Sequence, residues 1–167
     1  MIKKPLIALL AASLLSACGF TPLHAPVTSS NGISFEDVSI KITDGRDQSD
    51  KEAGFFVMQR LRDRIGENTG KHVLTLDPTH FRSGFGVNSI DVSSRFDSTV
   101  YVNYTLAEAK TGSILTQGSV TAVSTFGAPV DPYGLVAAEK SALQQTTKEA
   151  ADRLLVKLAS YYANPEK

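Results

Sequence analysis

Between residues 34 and 43 apolar and polar side chains alternate. Val38, Ile40 and Ile42 fall on one side and Ser39, Lys41 and Thr43 on the other, the period of a half-buried strand. The period then changes. Asp44-Gly45-Arg46-Asp47 reads as a turn, Ser49-Asp50-Lys51-Glu52 has the spacing of a capping box, and Ala53, Phe56, Val57, Leu61 and Ile65 recur at helical spacing. Arg60, Arg62, Asp63 and Arg64 occupy the other positions, and Gly66 or Gly70 is the expected stop. His72 to Leu76 is a second short strand. Asp77-Pro78 is expected to open a turn after it, because a proline disfavours helix in the residue before it. A strand, a crossover helix and a second strand make the usual parallel unit.

Residues 79 to 97 hold no clean period. Gly84-Phe85-Gly86 predicts a bulge or bend, lacks the following Lys-Ser/Thr of a phosphate loop, and leads to a strand continuing over Ser89 to Phe96. The alternation returns strongly from 98 to 126. Val100, Val102, Tyr104 and Leu106 oppose Thr99, Tyr101, Asn103 and Thr105, a turn falls at Lys110-Thr111-Gly112, and Ile114 to Phe126 alternates again, which predicts a β-hairpin. Its outer face carries hydroxyls and Tyr101 and little charge. Asp131 as cap and Pro132 at the first helical position start a final helix of about thirty residues. Ala138, Ala142, Ala150, Leu154, Leu155, Leu158 and Tyr162 form its expected buried stripe, and Asn164-Pro165 stops it; at this length either Thr146-Thr147 marks a bend or the helix spans the sheet and overhangs it.

The N-terminal stretch follows different rules. Basic Lys3 and Lys4, an apolar run from Leu6 to Leu15 and small residues before Cys18 are the three parts of a secretory signal. The run is too short to span a bilayer, which needs about 20 apolar residues. Leu15-Ser16-Ala17-Cys18 resembles the bacterial lipobox, in which the cysteine is diacylated, becomes the new N-terminus and is then N-acylated. Cys18 is the only cysteine, so no disulfide forms within the chain. Residues 1–17 are therefore assigned as a signal peptide, 18–33 as the acylated N-terminus and a tether with two prolines, 34–163 as one domain and 164–167 as a short tail. Phe20 and Leu23 give the tether two apolar points that can dock on the domain or a partner. Gly19 stands where many inner-membrane lipoproteins have Asp, which by analogy directs the chain to the outer membrane, facing the periplasm.

The formal charge of the whole chain is zero, and processing removes two lysines. No basic field supports binding to nucleic acid. Catalytic sets are absent from the pattern: His24, His72 and His80 are dispersed, there is no HExxH or nucleophile elbow, and Asp44, Asp47 and Asp50 lack the central glycine and closing glutamate of a calcium loop. No metal and no cofactor other than the acyl chains on Cys18 is expected, and the domain reads as a binding or scaffolding part.

Cys18-Gly19-Phe20-Thr21-Pro22-Leu23, the order of elements, the hairpin residues Tyr104-Thr105-Leu106, Thr111-Gly112, Leu115 and Gly118-Ser119-Val120, and the closing Ala-Asp-Arg-Leu-Leu-Val-Lys-Leu of the last helix together resemble the lipopolysaccharide (LPS) assembly lipoprotein family, LptE. The resemblance implies an α+β fold with a mixed sheet of about four strands in β-α-β-β-β-α order and two helices on one face. It implies a non-enzymatic plug inside the outer-membrane LPS-assembly β-barrel, which it stabilises while assisting LPS transfer to the outer leaflet. It also implies LPS contacts through basic side chains, which suit lipid A phosphates, with Arg95 and Lys140 as the matching positions. Two other readings stay open from the sequence: a lipoprotein subunit of another envelope lipid or solute transport system, and a lipid-anchored enzyme.

Overall fold

The structure, a computed structural model, describes residues 37–66, 70–87 and 93–163. Strand β1 (Val38–Ile42) leads through helix α1 (Gln48–Ile65) to β2 (His72–Val87), which is followed by β3 (Ser93–Glu108), β4 (Ile114–Gly127) and helix α2 (Pro132–Ala163). The sheet has the order β1-β2-β3-β4. β1 pairs in parallel with β2, across the α1 crossover, and the two later pairs are antiparallel. This is the mixed four-stranded α+β arrangement that the sequence implies.

Alternation explains the core. Val38, Leu74, Leu76, Val100, Val102, Leu106, Val120 and Ala122 face one side of the sheet, where they meet Ala53, Val57 and Leu61 of α1 and Leu143, Ala150, Leu154 and Leu158 of α2. Each fully buried leucine contributes about 1.5–3 kcal/mol. Alanines at 53, 150 and 151 keep the layer thin. Between the helices, Arg60 donates to both carboxylate oxygens of Asp152 at 2.9 Å, and this forked bond holds the Arg60 pKa above its ordinary value.

Three local expectations are corrected, and one alternative is decided. The α1 cap is Asp47, whose side chain accepts from the Asp50 amide at 2.8 Å, so Ser49 sits inside the first turn and its hydroxyl is free for another partner. Asp77-Pro78 makes no turn: β2 runs straight through it. The reason is the length of β1. Ile42 pairs with Leu76 as its last partner, and the Leu76 carbonyl accepts from Thr43 at 2.9 Å, so the even-numbered residues of β2 turn their backbone toward β1. Two residues on, the Pro78 nitrogen faces an edge where no strand remains, and no ladder bond is lost. Gly84-Phe85-Gly86 makes no register bulge either, since β2 and β3 pair without a shift through Val87 and Ser93. The one irregularity lies between β3 and β4, at Leu106 and Ala107. Thr146 and Thr147 do not interrupt α2. They are buried, and their hydroxyls donate back to the carbonyls of Ala142 and Leu143 at 2.7 and 2.8 Å, so the pair is satisfied within the helix.

Other expectations hold. Gly66, at φ 87°, ends α1, with its N–H on the Arg62 carbonyl at 2.8 Å. Asp131 caps α2 by accepting from Tyr133 and Gly134, both at 2.9 Å. Its buried stripe adds Leu143, Thr146, Thr147 and Ala151 to the expected residues, and Ala138 and Leu155 are only partly buried. The hairpin turn uses Gly112 at φ 72°, where L side chains are strained.

Candidate functional site

Both helices lie on one side of the sheet, and among the described residues no element covers the other side. On that side run Thr75, Asp77, Thr79 and Phe81 of β2, then Asp97, Thr99, Tyr101, Asn103 and Thr105 of β3, and then Gln117, Ser119, Thr121, Val123 and Thr125 of β4, aligned by the register. Hydroxyls and amides dominate. The charged exceptions are Lys41 of β1, paired in register with Thr75; Asp77, 3.9 Å from Arg46; Asp97, which accepts from Thr125 at 2.6 Å; and Arg95. Phe81 and Tyr101 meet edge to face at 5.9 Å, about half exposed, with Val123 one row away. A solvated sheet face needs no such aromatic pair, and apolar groups ringed by hydroxyls suit an amphipathic partner.

The end of the sheet beyond β1 is closed by the first half of α2. Arg82 donates to Glu139 at 2.7 Å and lies 5.2 Å over the Phe96 ring, which stacks on Phe126. Val130, Tyr133 and Val136 project from this end into solvent. Arg95 and Lys140 are both exposed here, but the structure does not bring them together. Phe96 and Ser98 turn toward the helices, so Arg95 turns to the bare face, whereas Lys140 belongs to α2 on the opposite side. They are two separate basic points, not one cleft. Cys18, His24 and the tether lie outside the described residues.

One polar cluster is buried. The Ser49 hydroxyl meets His80 Nδ1, His80 Nε2 meets the Ser98 hydroxyl at 2.9 Å, and the His80 backbone N–H donates to Asp50 at 2.8 Å. A serine beside a histidine could suggest a nucleophile. Here both ring nitrogens are occupied, Ser98 is 1% exposed, and the carboxylate holds the backbone instead of orienting the ring. The arrangement ties the start of α1 to β2 and β3. Asp50 also supplies the acceptor that β1 would have given had it continued. The sequence concealed this cluster because Pro78 was expected to end the strand that carries His80. Among the described residues, no group of three or more histidine, cysteine, aspartate or glutamate side chains is placed to hold a metal ion.

Burial lowers the His80 pKa below its ordinary 6.5, against the opposing pull of Glu139 and Asp50. The folded state thus holds His80 neutral where the unfolded chain takes up a proton. The stability this confers is complete above pH 6.5 and falls as pH drops from there through the folded-state pKa. Urea midpoints across that interval should fall less steeply for His80→Gln than for the native protein, and parallel curves would mean that His80 does not titrate differently on unfolding.

No protein-family model and no curated protein sequence matches the chain. The fold does match solved structures. A protein described as a lipoprotein from Caulobacter crescentus CB15 superposes with a TM-score of 0.64 at 21% identity, covering 80% of this chain and 95% of that one. The rare lipoprotein B of Shewanella oneidensis gives 0.57 at 18%, covering 78% and 98%. A lipoprotein B from Nitrosomonas europaea gives 0.59 at 13%, covering 78% and 86%. The chain therefore has a fold found in bacterial lipoproteins, over nearly the whole length of these relatives.

Proposed function

We propose that the protein is a lipid-anchored, non-enzymatic component of the outer membrane. In this reading it sits as a plug in the LPS-assembly β-barrel, stabilises it and assists passage of LPS to the outer leaflet. The observation that carries the reading is the one-sided sheet. A large barrel has a polar interior, and a face dominated by hydroxyls and amides, with few charges among them, can meet such a wall chiefly by hydrogen bonds. The helices meanwhile supply the core that keeps the sheet rigid. The lipobox at Cys18, the fold shared with bacterial lipoproteins and the resemblance to LptE support the same reading. Arg95 and Lys140 are the proposed phosphate contacts, and their separation means that each would meet LPS on a different side of the domain.

Affinity purification of the acylated, tagged protein from detergent-solubilised envelope tests the proposal. One large outer-membrane barrel in stoichiometric amount is the expected companion. Recovery of inner-membrane transporter subunits instead would move the protein to another lipid or solute transport system, and recovery of neither would remove the plug.

A further inference from the structure

The two edges of the sheet are built differently. At one edge β1 has only five residues, and where it stops Pro78 and the Asp50 carboxylate occupy the exposed backbone of β2. Short strands, proline and inward carboxylates are the usual guards against pairing with another chain. The opposite edge is β4, 14 residues long, with no charged residue and no proline in Ile-Leu-Thr-Gln-Gly-Ser-Val-Thr-Ala-Val-Ser-Thr-Phe-Gly. Among the described residues its one guard comes from α2: Arg153 donates to the Thr121 carbonyl while also pairing with Glu149. That bond shows which way the backbone points. Thr121 and the other odd-numbered residues aim their N–H and C=O groups away from β3, and the even-numbered residues bond to it.

Beside this edge lies a groove lined by Ser119, Val120, Thr121, Arg153, Val156 and Lys157. Val156 is about half exposed. Lys157 has no acidic partner among the described residues. We propose that the edge of β4 accepts an extended segment of a partner protein as a fifth strand, one that lays an apolar side chain on Val156 and a carboxylate against Arg153 and Lys157. Backbone bonds to the odd-numbered residues give the attachment, and the groove selects the sequence. On docking, an N–H of the incoming strand takes over the Thr121 carbonyl, and Arg153 turns to the new carboxylate. A second copy of this chain fits poorly, because two-fold pairing about this part of β4 sets one Arg153 and Lys157 pair against another and supplies no acid from either β4. The proposal concerns the kind of segment bound and stands apart from the barrel reading.

The test is photo-crosslinking of the full-length acylated protein in intact envelopes, with p-benzoylphenylalanine placed in turn at Ser119, Val123 and Val156, and at Thr75 as a control away from the edge. Sequencing the captured peptides should give one contiguous segment carrying an acidic residue from the first three positions, and not from Thr75. Val123→Pro removes only an outward N–H, so it should keep the native fold while lowering capture about tenfold. Lys157→Glu, with the crosslinker at Ser119, gives an independent reading and should lower capture as well. Capture of residues from this chain's own N-terminal segment, of a second copy or of unrelated segments would overturn the proposal, as would no capture, or capture that survives both substitutions in folded protein. A captured segment from a protein that is not a β-barrel keeps the strand site and leaves the barrel reading to be decided by the co-purification. Co-purification of a barrel without capture at β4 keeps the barrel reading and removes the strand site.

Discussion

Gly70→Ala should lower the unfolding free energy by about 3–5 kcal/mol, at the upper end of single-substitution effects. A Cβ at position 70 would lie 1.6 Å from the Asp37 carbonyl oxygen, 1.9 Å from its carbon and 2.6 Å from the Val38 nitrogen. These are backbone atoms at the start of β1, so no rotamer change relieves the overlap. Either β1 moves away from β2 or β2 starts later. β1 has five paired residues and Val38 is fully buried, so displacing it exposes part of the core under α1. Urea unfolding measures the loss, and amide exchange localises it: the β1 amides should lose protection while those of β3 keep theirs. Gly127→Ala is the control, because the space around its would-be Cβ is open. A cost below about 1 kcal/mol for Gly70→Ala would mean that the two strands adjust freely and the close approach is not required.

Under the proposed function, Cys18→Ala should keep the protein from reaching the outer membrane. In the proposed anchor each buried methylene contributes about 0.8 kcal/mol, and one acyl chain gives only reversible binding, whereas two or more hold the protein stably. The thiol is the only attachment point available, because no other cysteine exists. Without it the precursor keeps its apolar run from Leu6 to Leu15 and stays uncleaved. Membrane fractionation with intact-mass measurement reads the result: precursor mass and absence from the outer-membrane fraction are expected. A variant that reaches the outer membrane at the mature mass would end the anchor as an explanation. The folded domain should be unaffected, since Cys18 lies well before β1, and equal urea midpoints for the two purified domains would separate an anchoring defect from a folding defect.

Much of the fold was legible because its signals are local. A strand with one buried face must alternate and a helix with one buried stripe must repeat every three or four residues. Val100, Val102, Tyr104 and Leu106 announce their strand in any context, as do Leu154 and Leu158 their helix. Asp131 through its carboxylate, and Pro132 and Gly66 through their backbones, act within a single turn, so their signals are local as well. The misreadings share a cause of the opposite kind. Pro78 breaks a strand only if its nitrogen faces a neighbour, which depends on where β1 stops. Ser49 matches a capping box, but Asp47, two residues earlier, makes the cap and His80, 31 residues away, engages the Ser49 hydroxyl. Of the two glycines able to end α1, Gly66 does so, and what requires Gly70 is the close passage of Asp37, which no local pattern announces.

The candidate surface divides along the same line. The hydroxyl-rich alternation of the hairpin is written in the sequence, and so is the resemblance of Leu15-Ser16-Ala17-Cys18 to a lipobox, a signal carried by four adjacent residues. That this face stays bare, that Arg95 and Lys140 part to opposite sides, and that β4 rather than β1 is left as the long open edge were decided only in three dimensions. Sequence by itself determined which residues prefer to be buried and which period they follow, because those preferences are properties of a residue and its near neighbours. The tertiary structure decided which backbone groups find partners and which face is covered, because pairing depends on where distant strands end.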